Sequence, residues 1–435
     1  MNVLSKRRVW GWCLGTALVC SLFSSAVPAM SPISLKPPGG PATMPRSYFG
    51  LHIHRPTVAG KWPTVLFGAW RLWDANVNWM DLEPQRGRWD FARLDADIAR
   101  AQAAGIEIVV PFALSPVWAS ARPGEPSAYG QGHAAEPADM ADWRNYVRTV
   151  ATRYRGRVLA YELWNEAADK PFYSGSQKAL LDMTRIAHDE VKAIDPAALI
   201  VAPSVWGMDA RVGLVRKFLD AGGAQWVDVA SYHMYHQPSP PESMIDSIRK
   251  LRADLDAGGY SKLPLWNTES GYFMSNSPTV PNENWSDYEL ARRISPAQAA
   301  PYVVRDLLLA RAMGVERFFW YAWDNFHLGM IEPADNRLRG VGVAFGNAVS
   351  YLMRSTLEGC DRDKLGAWIC RLTLANGKTA RVLWQDPEAG EEPLRLPAPF
   401  TGNLKSFENE GDQSIKVGES IILSAHPVLL VQQGP

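Results

Sequence analysis

The chain has 435 residues, with 45 basic side chains against 45 acidic ones, 47% hydrophobic residues and only 4 cysteines. At about 100–200 residues per domain, this length accommodates two or three domains and a core that stands without disulfides. Balanced charge with no basic block excludes a nucleic-acid partner held by phosphate neutralisation, and the apolar content excludes a mostly disordered chain.

The N-terminus opens on Lys6-Arg7-Arg8, continues as an apolar run over residues 9–19 and ends in small residues up to Ala29. A basic start, a short apolar middle and a small-residue end make a secretory signal peptide over residues 1–29, and cleavage after Ala26 or Ala29 fits the small-residue rule. The alternative is an uncleaved anchor, because residues 10–27 are nearly long enough to span a bilayer. The protein is therefore expected in the periplasm or outside the cell, meeting a membrane only through this segment if it is retained. Removing residues 1–30 takes away three of the 45 basic residues, so 42 remain against 45 acidic ones, a net charge of −3. Cys13 and Cys20 leave with it. Cys360 and Cys370 remain, ten apart in a compartment that favours disulfides, and are expected to pair across a hairpin.

Residues 30–46 are rich in Pro and Gly without apolar period and read as a linker. Beyond them, short runs rich in β-branched and aromatic residues cover 48–53, 65–73, 106–112, 158–166, 199–205, 227–235, 263–269 and 318–323. Helix-like spacing fills the gaps, as over 91–104, 140–154, 177–194, 212–221, 242–256 and 297–312. Gly105 and Gly314 stand where helices of this placement end in a left-handed residue. Eight strands alternating with helices predict a (β/α)8 TIM barrel over residues 47–335. A doubly wound sheet is disfavoured because no GxGxxG or phosphate loop follows the first run. From residue 340 to 435 short strands separated by Asn376-Gly377, Asp386-Pro387 and Gly418-Glu419 predict a small all-β, sandwich-like accessory domain.

Catalytic groups of a barrel enzyme lie at the C-terminal ends of its strands. The fourth run ends in Trp164-Asn165-Glu166 and the seventh in Asn267-Thr268-Glu269. Strict alternation places Glu162, Trp164 and Glu166 on one face and Leu265, Asn267 and Glu269 on another, so that Glu166 and Glu269 look at each other across the barrel mouth. Two carboxyls flanking a bond are the minimum apparatus for glycoside hydrolysis, one protonated to serve the leaving oxygen and one ionised to attack. A lone glutamate at a strand end is more often a loop cap or a salt-bridge partner; the pair is what points to chemistry.

Trp164-Asn165-Glu166 resembles the acid/base signature of the retaining glycoside hydrolases of clan A, and Glu269 matches their nucleophile position on the seventh strand. The order strand, Trp-Asn-Glu, short aromatic loop (Phe172, Tyr173), helix, Ile200-Val201-Ala202-Pro203 is most similar to glycoside hydrolase family 39, among its members the Psl-type glycosidases of bacterial exopolysaccharide operons. The sequence departs from the family where the common Trp-Asn-Glu-Pro becomes Trp-Asn-Glu-Ala and in part of the motif around Glu269. The resemblance implies that Asn165 bonds the sugar hydroxyl beside the anomeric carbon and that Arg71 lies beside the nucleophile. It also implies that His233 and Tyr235 form the clan's His and Tyr pair, with Tyr235 bonding the nucleophile. Trp323 is implied as an aromatic platform under the sugar, which Trp118 and Trp206 would extend; any one of these indoles can instead belong to the core. Glu162, deeper in its strand, reads as a paired structural carboxylate. His52 and His54 face one side of the first strand, as sugar ligands or as core hydrogen bonders.

The reading that results is a retaining β-glycosidase that acts as a monomer, without metal or organic cofactor, on polysaccharide. Long loops over 120–138 and 271–295 would wall a groove, which suits endo-acting cleavage of an exopolysaccharide. An exo-acting β-xylosidase-like enzyme is the first alternative. A non-hydrolytic polysaccharide-binding protein of an export machinery is the second.

Overall fold

The computed structural model describes residues 29–207, 211–274, 286–409 and 411–433. The expected signal peptide, but for its last residue, lies outside them. Among the described residues no helix is long and apolar enough to cross a membrane.

Eight parallel strands form one sheet: Phe49–His52, Ala69–Arg71, Glu107–Phe112, Ala160–Leu163, Leu199–Val201, Ala230–His233, Leu265–Ser270 and Val315–Trp320. Each falls within or overlaps one of the eight runs. The eighth pairs in register with the first, Phe318 opposite Phe49, and a single parallel bridge from Val201 to Val229 joins the fifth to the sixth. The sheet thus closes into a TIM barrel. Its floor is filled by inward side chains from seven strands, Ala69, Val109, Ala160, Val201, Val229, Trp266 and Phe319. Gly50, on the eighth contributing strand, has to lack a side chain because a Cβ there would come within 2.5 Å of the Phe319 ring.

The helices bury one apolar face against this barrel. In Gln177–Ile194 the buried Leu180, Met183, Ala187 and Val191 recur at three- and four-residue intervals, and the Ser176 hydroxyl accepts the Ala179 N–H at its start. Gly105 and Gly314 close their helices at φ +62° and +82°, as their positions in the sequence imply.

The second unit is an antiparallel sheet containing Thr356–Arg362, Ala367–Thr373, Thr379–Gln385, Val428–Gln432, Gly402–Ser406 and Asp412–Ile415. A two-stranded sheet, Leu394–Pro397 with Ser420–Leu423, covers it, and Ala367, Leu383, Ala398, Ile415, Ile421, Leu423 and Leu430 fill the space between. Its other face meets the barrel: Trp384 Nε1 donates to Glu242 and Arg305 donates to the Ala425 carbonyl.

Two boundaries differ from the sequence reading. Ile33–Leu35 and Ala42–Thr43 are not linker, for both pair antiparallel with Thr356–Arg362 and form an edge of the second unit's sheet. Three residues and two are too short to show a period. Gly340–Leu352 is a helix packed on Pro296–Ala312 and belongs to the barrel, so the β-rich unit begins near residue 356. Its Gly and Val content mimics a strand, yet burial of Val341, Ala344, Phe345, Ala348 and Val349 on one face decides for helix.

Cys360 and Cys370 sit directly opposite each other on neighbouring strands and form a disulfide. Both are fully buried. Replacing both by Ala is expected to lower unfolding free energy by about 2–4 kcal/mol, read by denaturant titration, while mass spectrometry without reduction finds neither thiol alkylatable in the native protein.

Candidate active site

Arg71 ends the second strand and is fully buried. Its guanidinium donates Nε to Glu162, Nη1 to Glu269 Oε2 at 3.0 Å and Nη2 to Asn165 Oδ1 at 2.8 Å. One side chain therefore ties together the second, fourth and seventh strands. Glu162 also accepts the Thr268 hydroxyl at 2.9 Å, which makes it the paired structural carboxylate expected from its depth. His52 Nε2 donates to the Thr268 carbonyl at 2.9 Å, so of the two readings left open for this residue the core one holds.

The two glutamates reach the cleft by departures from regular strand, not by the alternation the sequence suggests. The fourth strand stops at Leu163, and Trp164 and Glu166 take left-handed backbone at φ +57° and +46°. Trp164 turns outward against Trp143 and Tyr173, while Asn165 and Glu166 turn inward. Each such residue costs about 1–3 kcal/mol, strain that the surrounding structure has to hold. On the seventh strand Trp266 faces the barrel floor and Leu265 the helices, and a bulge pairs His233 with Glu269 where regular register would bring Thr268. That extra residue turns Glu269 inward.

Glu269 accepts Arg71 on Oε2 and the Tyr235 hydroxyl on Oε1 at 2.9 Å. Glu166 Oε1 lies 2.9 Å from His233 Nδ1, and that same nitrogen is 3.9 Å from Glu269 Oε1. Oxygens of the two glutamates approach within 4.8 Å. Burial lifts the Glu166 carboxyl well above the usual carboxylate range, and the Glu269 charge lifts it further. Burial also raises Glu269, to about 7, with Arg71 and the Tyr235 hydroxyl working against the rise. Glu166 is thus the better proton holder of the pair and Glu269 the better anion. Burial and the Arg71 charge push His233 well below its usual value, so its ring is neutral.

The glutamates face a cavity of about 530 Å³. Trp73, Tyr129, Tyr235 and Tyr321 line it near the glutamates, and Tyr288 and Phe326 stand partly exposed at its rim. Asn165 and Trp206 line it as expected. Trp323 does not: it is buried behind the cleft, and Tyr321, two residues earlier, faces the cavity in its place. Trp118 also lies outside, packed edge-on against Trp79 beneath Arg86, with Nε1 donating to the Glu83 carbonyl. His54 stands behind Tyr321, ring centroids 5.0 Å apart, and does not line the cavity. Trp73, Asp74, Gln237, Glu289 and Tyr321 were missed. Trp73 and Tyr321 lay inside or beside named strand runs, so position offered a signal; the others sit on loops without period.

Glu166, His233 and Glu269 also present donor atoms at the spacing of a metal cluster. Both Glu269 oxygens are engaged, however, and the Arg71 guanidinium 3.0 Å away repels a cation. The arrangement favours proton and glycosyl transfer over metal binding.

A raised carboxyl in the folded state contributes stability that is present below its unfolded value and is lost as pH climbs through the folded one. Glu166→Gln removes that titration. Its melting temperature is expected to match the parent's at pH 4 and to exceed it at pH 8, by about 2–4 °C for each kcal/mol relieved; a scanning calorimeter reads the difference.

A family model for glycoside hydrolase 42, described as beta-galactosidase, matches residues 72–160. A beta-xylosidase of Geobacillus stearothermophilus is 24% identical over 219 residues, 44% of this chain and 42% of that one. The match thus spans less than half the length of this curated relative. Among solved structures, a family 39 glycoside hydrolase from Bacteroides cellulosilyticus WH2 superposes with a TM-score of 0.67 at 20% identity, covering 90% of this chain and 81% of its own. A family 39 beta-xylosidase from Caulobacter crescentus gives 0.65 at 16%, covering 92% and 99%. The chain is thus similar in sequence to glycoside hydrolases, and its fold is shared with structures of family 39.

Proposed function

We propose that this protein is a retaining β-glycosidase that cleaves β-linkages of a polysaccharide by double displacement. The observation that carries this reading is the placement of Glu166 and Glu269 across one cavity with oxygens within 4.8 Å. Retaining enzymes hold their carboxyls about 5–5.5 Å apart, whereas inverting ones leave about 6.5–9.5 Å for a water. Glu269, ionised beside Arg71, attacks the anomeric carbon while Glu166 gives its proton to the leaving oxygen. A glycosyl-enzyme ester results. Glu166, now a carboxylate, takes a proton from water, which displaces Glu269 and releases the sugar with its original configuration. Asn165 spends its carbonyl on Arg71, so its amide N–H groups face the cavity, where they can donate to the hydroxyl beside the anomeric carbon.

Action within a chain of an exopolysaccharide is supported by a second pocket of about 280 Å³ beside the cavity, which shares Trp206, Tyr235, Gln237 and Tyr288 with it. The exo-acting, xylosidase-like alternative draws on the beta-xylosidases among the relatives. A periplasmic or secreted location is supported by the N-terminal pattern and by the buried Cys360–Cys370 disulfide. Action as a monomer draws on a neighbour, the monomeric beta-xylosidase of Caulobacter crescentus.

Glu269→Gln is expected to abolish turnover of aryl β-glycosides, with loss beyond about 10⁴-fold. Glu166→Ala is expected to retain turnover of substrates with good leaving groups and to recover rate with azide, yielding a β-glycosyl azide by NMR. Unchanged activity in either variant refutes the roles. Tyr235→Phe removes a bond that lowers the Glu269 carboxyl, so the acid limb of kcat/KM is expected to move to higher pH.

A further inference from the structure

The cavity that holds the glutamates is rich in carboxyls. Asp74, Glu166, Glu269 and Glu289 line it, Glu166 holding a proton and Glu289 bonded to His327, which also lines it, and among the described residues no Lys or Arg does. Arg71 is fully buried, with Nε, Nη1 and Nη2 each given to a protein acceptor. Arg211 lies over the Trp206 ring and is ion-paired to Asp169, and Arg292 sits in the adjoining pocket, 3.8 Å over the Tyr288 ring. Residues 208–210 and 275–285, which border this region in the chain, contain no Lys or Arg either. A carboxylate carried on the sugar bound beside Glu269 would meet no compensating cation.

Asp74 is placed to use this charge. It follows the second strand in left-handed backbone, φ +58°, half-buried against the cavity. The Tyr321 hydroxyl donates to its Oδ2, which fixes the carboxylate, and no described group donates to Oδ1. Its charge is close enough to work against ionisation of Glu269. An oxygen with spare lone pairs, held at the edge of an aromatic-walled cavity, is an acceptor for a sugar hydroxyl. The same oxygen set against a uronate carboxylate gives like-charge repulsion.

We propose that Asp74 is a specificity-determining residue of this site, accepting a hydrogen bond from a hydroxyl of the glycosyl unit next to Glu269 and restricting that unit to neutral sugars. The proposal rests on the glycosidase reading above and adds the class of sugar.

The test uses the full chain and a panel of 4-nitrophenyl β-glycosides, the xyloside, glucoside, galactoside and mannoside beside the glucuronide and galacturonide. For the parent protein, kcat/KM on each uronide is expected to fall at least about 100-fold below that on the matching neutral glycoside. Asp74→Asn, whose amide tolerates the same left-handed backbone, is expected to lower kcat/KM on the neutral glycoside and to narrow the ratio about 10-fold or more. A merely structural Asp74 would lower both substrates in proportion and leave the ratio unmoved, which overturns the proposal. A uronide cleaved by the parent as fast as its neutral counterpart overturns it too, with the glycosidase reading intact. No turnover of any member, or of isolated biofilm polysaccharide, overturns that reading and the proposal with it.

Discussion

A single buried guanidinium organises the mouth of this barrel. Arg71 has its N–H groups in one rigid plane, and two other strands supply three acceptors for it: Glu162 and Asn165 from the fourth strand and its turn, Glu269 from the seventh. A buried cation without such partners would cost several kcal/mol, and buried carboxyls without the cation would cost as much again. Each side therefore makes the other tolerable, and the geometry they share fixes where Glu269 points. A lysine, with a point charge and no plane, could neutralise this cluster but could not hold three acceptors in one orientation.

The charge count then decides the proton. One guanidinium faces Glu162, Glu166 and Glu269, and it bonds two of them directly. Glu162 adds the Thr268 hydroxyl and Glu269 adds Tyr235, while the Glu166 carboxyl has a neutral imidazole. Burial penalises the charged form of both cleft glutamates; Glu269 bonds a cation and a phenol directly against that penalty, whereas Arg71 and Arg211 act on Glu166 only through their charge. The unequal partners of two similar side chains separate acid from nucleophile.

The barrel was legible because eight β-rich runs and intervening helical spacing repeat a signal, and repeated signals survive local noise. Glu166 and Glu269 were legible from residue type at strand ends, yet the alternation argument reached them by a route the chain does not follow. Period two holds only along unbroken strand, and the functional ends are where the strand breaks: left-handed backbone at Trp164 and Glu166, and a bulge before Glu269. The expectation for Trp323 failed for a related reason. The eighth strand ends at Trp320, and the chain beyond it places Tyr321 in the cleft and Trp323 in the core. Residues such as Asp74 and Glu289, set by loops, had no periodic pattern to reveal them.

The chain holds 18 tryptophans, and most of those fully buried lie away from the cleft. Trp70, Trp79, Trp143, Trp164, Trp320, Trp323, Trp368 and Trp384 are among the largest fully buried side chains, whereas Trp73 and Trp206 are the indoles that line the cleft. Its walls are mainly Tyr and Phe, and the chemistry accounts for the Tyr. In a cavity that contains carboxylates, a phenol presents a flat face to a sugar and an O–H at the far tip of its ring, in the ring plane. Tyr235 and Tyr321 use that tip on Glu269 and Asp74, so the group that holds each carboxylate in place can also serve as wall. Phe offers the face without the donor. The aromatic content thus divides by function, with indoles filling volume under the helices and phenols coupling the shape of the cleft to its charge.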